Sequence, residues 1–241
     1  MVGSSCTSSS GAIERIHETG VLRVAVDPSF PPFEYIDAAN TIQGVDAELA
    51  REIAHRLDVE AQLVTTNYDG LYDALTVGRA DVIISGLFPD PARTQDFTFS
   101  APYFNAGQVL VTLAASAERE VADLAGKPLA VIFGTTGHMV ALQWEETLIP
   151  PPTIITYERP VEALVALADG AVMGAVLDNV SAQTALVRGG NYQVLALPAN
   201  VEPYVIAARR QDAALIKEID NILLELQEEG LWEALLEKWL Q

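Results

Sequence analysis

Segments typical of strands and helices alternate along this chain, and the alternation occurs twice. VLRVAV predicts a buried strand, and VDAELAREIAHRL, whose apolar residues recur at i, i+4 spacing, predicts an amphipathic helix. AQLVTT predicts a second strand, YDGLYDALTVG a short helix closed by Gly78, and DVIIS a third strand. This βαβαβ order predicts a parallel sheet covered by helices.

The same pattern begins again after about residue 108. PLAVI, TIIT and GAVLD predict strands, and helices are predicted from Gly137, over PVEALVALADG and from Asn179. YDALTVGRADVIIS and VEALVALADGAVMGAVLD each contain a helix that ends in Gly and a buried strand that follows it. Residues 212–240 predict a helical segment with a break at Gly230. We therefore expect an α/β protein with two lobes of similar plan.

Composition and motifs exclude several functions. The 241 residues include 33 acidic and 14 basic ones, and the basic residues form no cluster that could neutralise phosphates, so no nucleic-acid partner is expected. No apolar stretch reaches the roughly 18 to 20 residues of a membrane helix. The chain lacks H-E-x-x-H, G-x-S-x-G and a Cys/His cluster, and GTTG lacks the Lys and the length of a phosphate loop. We predict no metal, no cofactor and no catalytic residue.

The single cysteine, Cys6, lies in the polar opening MVGSSCTSSSG. One cysteine excludes a disulfide within the chain and a thiolate metal cluster. The opening has no apolar core of a signal peptide, so no complete signal peptide is predicted. A lone Cys before a Ser/Thr-rich spacer is typical of a bacterial lipoprotein whose signal has been removed. The alternative is an incidental cysteine in a flexible tail of residues 1–12.

Candidate binding residues follow the predicted strands, because open α/β sheets bind ligands at the carboxyl ends of their strands. The residues at these places, together with Arg93 of the loop FPDPART, are Asp27, Tyr68, Ser85, Gly86, Gly134, Thr135, Thr136 and Asp178. Polar residues thus occupy strand ends in both lobes, which favours a binding site. None of them is a catalytic signature by itself.

Each candidate also has a structural explanation. Asp27 could start a turn with the proline after it, and Asp178 could cap the helix that follows it. Thr135 and Thr136 could be an ordinary N-cap, although free N–H groups at a helix start also bind a carboxylate. Arg93 could form a surface ion pair, although a guanidinium also suits bidentate carboxylate recognition. Residue chemistry alone leaves these alternatives open.

The order of the motifs resembles that of a known family. GVLRVAVDPSFPPFEY is followed by GVDAELAREIAHRL, GLYDAL, GRADVIISGL, FSAPYF, LAGKPLAVIFGTTG and EEGLWEALLEKWL, in order and at matching spacings over residues 13–240. This arrangement is similar to that of the periplasmic amino-acid-binding proteins that serve ABC importers. The resemblance implies a two-lobed α/β fold, in which each lobe is a mostly parallel sheet flanked by helices and two crossing strands join the lobes.

The resemblance also implies where the lobes begin and end. Lobe 1 would comprise residues 13–105 and 204–241, and lobe 2 residues 106–203. The crossings would lie near Asn105 to Gln108 and Val201 to Val205. Family members enclose their ligand when the lobes close.

The resemblance assigns roles to the residues that would hold the ligand's main chain. Arg93 would clamp the α-carboxylate, assisted by N–H and hydroxyl groups at Thr135 and Thr136, and Asp178 would receive the α-ammonium. A zwitterion removed from water needs each of its charges paired, since an unpaired buried charge costs several kcal/mol.

Other positions would meet the rest of the ligand. Ser85 and Gly86 would lend backbone carbonyl or hydroxyl contacts. Phe30 and Tyr68 could stack on a planar group whose N–H donors Asp27 accepts, which favours a guanidinium or another cation. We therefore expect a basic amino acid, namely arginine, lysine or histidine.

Three positions bear on the alternative ligands. The glutamine-binding branch commonly has Lys where this chain has Ile132, so glutamine or another polar amino acid is the second candidate. Phe88 stands where the family usually has Ser or Thr, which removes a hydroxyl that helps to hold the ligand's backbone groups. Gly137 similarly replaces a polar residue that is frequent in the basic-ligand branch.

The resulting expectation is a monomeric, non-enzymatic receptor at the periplasm or cell surface. It would close on a free amino acid and present it to the membrane permease of an ABC importer. One alternative is an enzyme similar to cyclohexadienyl dehydratases, which would need a general acid such as Asp27, Glu34 or His138. Another is a sensor domain of a larger receptor.

Overall fold

The computed structural model describes residues 11–197 and 201–240, so the predicted lipid-attachment residue Cys6 lies outside the described part of the chain. The helices are α1 (Ala12–Thr19), α2 (Val45–Arg56), α3 (Leu71–Thr76), α4 (Thr136–Thr147), α5 (Pro160–Ala168), α6 (Asn179–Val187), α7 (Ala213–Glu228) and α8 (Leu231–Trp239). The strands are β1 (Val21–Val26), β2 (Ser29–Phe30), β3 (Glu34–Ile36), β4 (Ile42–Gln43), β5 (Glu60–Thr65), β6 (Val82–Ile83), β7 (Phe97–Phe99), β8 (Phe104–Asn105), β9 (Gln108–Leu113), β10 (Pro128–Ile132), β11 (Thr153–Tyr157), β12 (Gly174–Asp178), β13 (Tyr192–Ala196), β14 (Pro203–Tyr204) and β15 (Ala207–Arg209).

The chain divides into two compact units. Of the described residues, unit 1 comprises 11–104 and 204–239, and unit 2 comprises 105–197, 201–203 and 240. The chain therefore passes from one unit to the other within β8 and again within β14. No helix in residues 11–197 and 201–240 has the length and apolar character needed to cross a membrane.

Unit 1 contains a five-stranded sheet in the order β5-β1-β6-β15-β7. Strand β1 is parallel to both β5 and β6, whereas β15 is antiparallel to β6 and to β7. The helix between β5 and β6 ends just before Gly78, whose φ of +73° is a conformation that glycine adopts without a Cβ clash. The predicted strand-helix-strand order thus places three parallel strands side by side.

The strands of unit 2 are apolar on both faces because helices cover both sides of their sheet. The order is β11-β10-β12-β9-β13, with β10 parallel to β11 and β12. Ala130 and Ile132 of β10 pack in one core cluster with residues of α5, whereas Leu129 and Val131 pack in another with Ala141 of α4. Strands covered on both faces read as continuous apolar runs, which explains PLAVI and GAVLD.

The predicted α/β architecture is confirmed, and in each five-stranded sheet one strand, β15 or β9, runs antiparallel to its two neighbours while the other four point the same way. Apart from β6 and β12, the strands in these antiparallel pairs were not predicted; they are β7, β9, β13 and β15. Their partners are distant in the chain: Tyr192 of β13 lies opposite Leu113 of β9, and Ala207 of β15 lies opposite Ile83 of β6. Alternation of strands with helices identifies only strands that a helix joins, so it does not detect these pairings.

Candidate functional site

Three parallel strands of unit 1 end beside one another at the same edge of the sheet. Asp27 follows β1 directly, a 3₁₀ turn that begins at Tyr68 follows β5, and Ser85 follows β6. The carboxyl ends of neighbouring parallel strands point the same way, so side chains from three separate segments come together here.

These segments surround a cavity of about 260 Å³ that lies wholly within unit 1. Six of the residues predicted from the sequence line it: Asp27, Phe30, Tyr68, Ser85, Gly86 and Phe88. Three further lining residues, Ser29, Glu34 and Tyr204, were not predicted to bind ligand.

Aromatic side chains form the apolar wall of the cavity. Phe30, Tyr68 and Phe88 remain 43%, 46% and 43% exposed, which is unusual for rings of this size in an otherwise buried region. Tyr204 is buried, and its ring centroid lies 6.3 Å from that of Phe30 and 5.1 Å from that of Phe88, both in edge-on contact. Phe30 stacks on the fully buried Phe33 at 5.7 Å. The exposed faces of these rings suit a planar or cationic group.

A chain of hydrogen bonds fixes the strand ends below the cavity. The Asp27 amide donates to the Ser85 hydroxyl at 2.9 Å, and that hydroxyl donates to Oε1 of Glu34 at 2.7 Å. The Gly86 amide donates to Oδ2 of Asp46 at 2.7 Å. Gly86 has a φ of +50°, and an added Cβ would lie 3.3 Å from the Phe30 ring, so a side chain at this position would be strained and crowded.

Two buried carboxyl groups below the cavity have raised pKa values. Burial, the adjacent Asp46 carboxyl and the charge of Asp27 raise the pKa of Glu34 to about 10. Burial also raises the pKa of Asp46 to about 6, although the neighbouring Glu34 carboxyl and the hydrogen bonds from Gly86 and Tyr103 act in the opposite direction. The Tyr103 hydroxyl donates to Oδ2 of Asp46 at 3.1 Å, and burial raises the pKa of Tyr103 well above its usual range.

Arg93 is not among the residues that line this cavity. It ends the 3₁₀ turn Pro91–Arg93, and its guanidinium lies 4.3 Å from the centroid of the Tyr72 ring. Its Nε donates to Oδ2 of Asp90 at 3.2 Å, and the side chain is 48% exposed. The structure therefore shows the exposed ion pair that the sequence left open as an alternative, and the carboxylate-binding role stays a prediction.

The remaining predicted residues belong to unit 2. Ile132 is buried at the end of β10. Thr135 caps α4: its hydroxyl accepts from the His138 amide at 3.3 Å and donates to the Ile132 carbonyl at 2.8 Å. Thr136 is the first residue of α4 and is exposed. The free N–H groups of this helix start could bind an anion.

Asp178 ends β12 and caps α6. Its Oδ1 accepts from the Ser181 amide at 2.8 Å, and its Oδ2 accepts from the Ser181 hydroxyl at 2.7 Å. The capping hydrogen bonds leave acceptor capacity on the carboxylate, because each oxygen can accept a second hydrogen bond. The half-buried Asp178 can therefore both cap the helix and receive an ammonium group.

The histidines do not lie in the cavity. His138 accepts from the Gly134 amide through Nδ1 at 3.3 Å, and His17 and His55 lie exposed on α1 and α2. Across the described residues there is no group of three or more His, Cys, Asp or Glu side chains placed to hold a metal ion.

The three cavity-lining residues that the sequence did not predict come from different parts of the chain. Ser29 and Glu34 lie in the same stretch as Asp27 and Phe30, and antiparallel pairing of β2 with β3 places Phe30 opposite Glu34. Recognition of a hairpin in SFPPFEY could have indicated Glu34. Tyr204 comes from the other end of the chain, and no local pattern indicates its place in the cavity.

A family comparison agrees with the order of motifs in the chain. The profile of the bacterial extracellular solute-binding proteins, family 3, matches residues 22–241. The chain belongs to this family. The predicted family resemblance is thereby confirmed.

Two curated relatives and one solved structure show how similar this chain is to known proteins. The L-cystine-binding protein TcyJ of Escherichia coli K12 is 28% identical over 234 residues, which cover 95% of this chain and 86% of that protein. The ABC transporter arginine-binding protein 1 of the same strain is 25% identical over 223 residues and covers 90% of each chain. The crystallised ancestral cationic amino acid solute binding protein is 30% identical, covers 95% of this chain and 99% of its own, and has a TM-score of 0.63.

Proposed function

We propose that this chain is a periplasmic or cell-surface receptor that binds an amino acid with a cationic side chain for an ABC importer. The observation that carries the proposal is the cavity of unit 1, in which Asp27 lies among the exposed rings of Phe30, Tyr68 and Phe88. The names of the arginine-binding and cationic-amino-acid-binding relatives support this ligand class. Lipid attachment at Cys6, a monomeric state and the permease as partner stay predictions.

The chemistry of the cavity explains the preference for a cation. Asp27 supplies a carboxylate acceptor, and each aromatic face within reach of a cation contributes about 0.5 to 2 kcal/mol, depending on desolvation. An acidic side chain would face repulsion from Asp27. Glutamine could be bound by the same groups, but it would gain neither the ionic nor the cation–π contribution.

The main-chain groups of the ligand need partners of the opposite charge. In the proposed site Arg93 and the amides at the start of α4 bind the carboxylate, while Asp178 binds the ammonium. Arg93 belongs to unit 1 and Asp178 to unit 2. A ligand that engages both would favour a closed arrangement by the difference in its affinity for the closed and open states.

The first test is a binding panel on the wild-type protein and on Asp27→Asn. Thermal shift and calorimetry over the twenty amino acids, L-cystine and prephenate should show the largest stabilisation with arginine, lysine or histidine, following RT ln(1 + [L]/Kd). Asp27→Asn should weaken binding of the cationic ligand by about 2 to 3 kcal/mol, roughly 30- to 140-fold. Glutamine binding should change much less.

Asp58→Asn is the matched control for this test. It removes the same charge from an exposed turn of unit 1, and Asn accommodates the φ of +57° found there. Equal effects of the two variants would show that Asp27 acts only through net charge. Strongest stabilisation by glutamine or L-cystine would contradict the cationic ligand class, and turnover of prephenate without binding of any amino acid would contradict the receptor function.

Phe88 provides a separate test of selectivity. Phe88→Ser restores the hydroxyl usual in the family and removes a ring from the cavity wall, so it should lower the preference for arginine over glutamine at least about fivefold, equivalent to about 1 kcal/mol. Phe88→Tyr keeps the ring and should keep the preference. Calorimetric Kd values for the two ligands measure the ratio. An unchanged ratio in Phe88→Ser would show that the ring does not contact the ligand side chain.

A further inference from the structure

Two carboxyl groups below the cavity have no role in the proposed ligand contacts. Glu34, the first residue of β3, is 1% exposed, and Asp46, in the first turn of α2, is fully buried. Burial of two acidic side chains in contact is costly unless a proton or a cation offsets their charge.

The hydrogen bonds around this pair leave one oxygen of each carboxyl group without a donor among the described residues. Oε1 of Glu34 accepts from the Ser85 hydroxyl, and Oδ2 of Asp46 accepts from the Gly86 amide and the Tyr103 hydroxyl. The other two oxygens, Oε2 of Glu34 and Oδ1 of Asp46, are buried and receive no N–H or O–H donor from the described residues. Each carboxyl group shifts the pKa of the other, so the two are near neighbours. A proton on one of two adjacent buried carboxyl groups lets them hydrogen-bond instead of repelling each other.

The groups that surround the pair favour the protonated form. Asp46 on α2 and Asp27 after β1 both disfavour a charge on Glu34, and Ser85 after β6 is the neutral donor that opposes them. Burial raises the pKa of two nearby phenols, Tyr103 before β8 and Tyr68 after β5, and the charge of Glu34 raises it as well. The carboxyl proton is thus surrounded by acidic and neutral groups.

We propose that Glu34 and Asp46 share one proton and that the resulting bond holds Ser85 and Gly86 in the geometry of the cavity wall. Glu34 fixes the Ser85 hydroxyl, which in turn receives the Asp27 amide, and Asp46 fixes the Gly86 amide. Both acids are positioning residues. Loss of the proton would leave two carboxylates in repulsion directly below the two strand ends that line the cavity.

The sign of the pH effect follows from the raised pKa of both groups. The folded protein keeps one proton on the pair between about pH 6 and pH 10, whereas the unfolded chain loses it near the ordinary values of 4.5 and 3.8. Unfolding therefore releases a proton, and this contribution to stability decreases as the pH rises. One proton corresponds to an approximately tenfold increase of the unfolding constant per pH unit.

The variant Glu34→Gln isolates this proton. Its amide can donate to Asp46 without a titrating proton, and its carbonyl can accept from Ser85. Urea unfolding of the ligand-free proteins between pH 7 and pH 9 should show an unfolding constant that rises about tenfold more per pH unit in the wild type than in Glu34→Gln. The infrared carbonyl band of a protonated carboxyl should be present in the wild type at neutral pH and absent in this variant. Equal pH slopes in the two proteins would overturn the shared proton.

Binding of the ligand found in the panel tests the positioning role, which rests on the proposed function. Glu34→Ala should weaken binding at least tenfold, and Glu34→Gln should restore it to within about threefold of the wild type. If Glu34→Ala does not fold, Ser85→Ala tests the same connection, because it separates the carboxyl pair from the Asp27 amide while leaving the shared proton. Ser85→Ala should also weaken binding at least tenfold, and its unfolding constant should depend on pH as in the wild type. The positioning role would be overturned if Glu34→Ala and Ser85→Ala both bound the ligand with wild-type affinity. Where Glu34→Ala is unfolded, wild-type affinity of Ser85→Ala alone would overturn it. Failure of every amino acid to bind the wild type would instead refute the proposed function, and the pH slopes would still test the proton.

Discussion

Asp178→Asn is expected to weaken amino-acid binding about a hundredfold while the melting temperature of the ligand-free protein hardly changes. Asparagine is as good an N-cap as aspartate, so its side-chain oxygen can still accept from the Ser181 amide at the start of α6. It cannot supply the negative charge that the ligand ammonium needs, and loss of one partner of a buried ion pair costs about 3 kcal/mol or more. Calorimetric titration with the cationic amino acid measures the effect.

Asp178→Ala separates the two functions of this carboxylate. It removes the cap as well as the charge, so we expect an additional loss of about 1 kcal/mol of stability and a melting temperature lower by about 2 to 4 °C. Binding should be weakened as much as in Asp178→Asn. If Asp178 were only a helix cap, Asp178→Asn would bind like the wild type, and that result would contradict the ammonium-binding role.

Arg93→Ala should weaken binding by a similar factor through the other end of the zwitterion. Among the described residues, the Arg93 side chain forms an exposed ion pair with Asp90 and a contact with the Tyr72 ring, which together contribute about 1 to 2 kcal/mol at most. The melting temperature should therefore fall by only a few degrees. Loss of a guanidinium from a bound carboxylate should cost about 3 kcal/mol, roughly a hundredfold in Kd.

Two further variants sharpen the Arg93 experiment. Arg79→Ala removes the same charge from an exposed position that precedes β6, at the opposite edge of the sheet, and should bind normally. Asp90→Ala breaks the exposed ion pair without removing the guanidinium, so it should also bind normally. Wild-type affinity in Arg93→Ala would show that the exposed ion pair is its whole role.

The elements that were predicted correctly have strong local signals. VLRVAV and PLAVI are apolar at every core position because their sheets are covered on both faces, and VDAELAREIAHRL has the spacing of a helix with one buried side. Parallel order then determines which residues meet, since neighbouring strands end at one edge. This is why the sequence alone places Asp27, Tyr68 and Ser85 in one group.

The features that were missed depend on contacts between distant parts of the chain. Nothing local in PFEY indicates that Glu34 is buried against Asp46, because charged residues are exposed by default and the partner lies on a helix further along the chain. Tyr204 reaches the cavity from a segment far from Phe30 in sequence. Arg93 lies outside the cavity because its turn directs the guanidinium to Tyr72, and a sequence motif does not encode that direction.

The position of β15 has a consequence for the order in which the molecule folds. β6 and β7 do not pair with each other; each pairs with β15, which comes from beyond residue 203. All five strands of the unit 2 sheet, in contrast, lie between residues 105 and 203. A chain synthesised from its N-terminus can therefore complete the second sheet first, while the first waits for a pairing that closes a loop of more than a hundred residues. Until that pairing forms, β6 presents an open edge on which another strand could add, so an interrupted chain would be prone to aggregate through the same sheet that later forms the cavity.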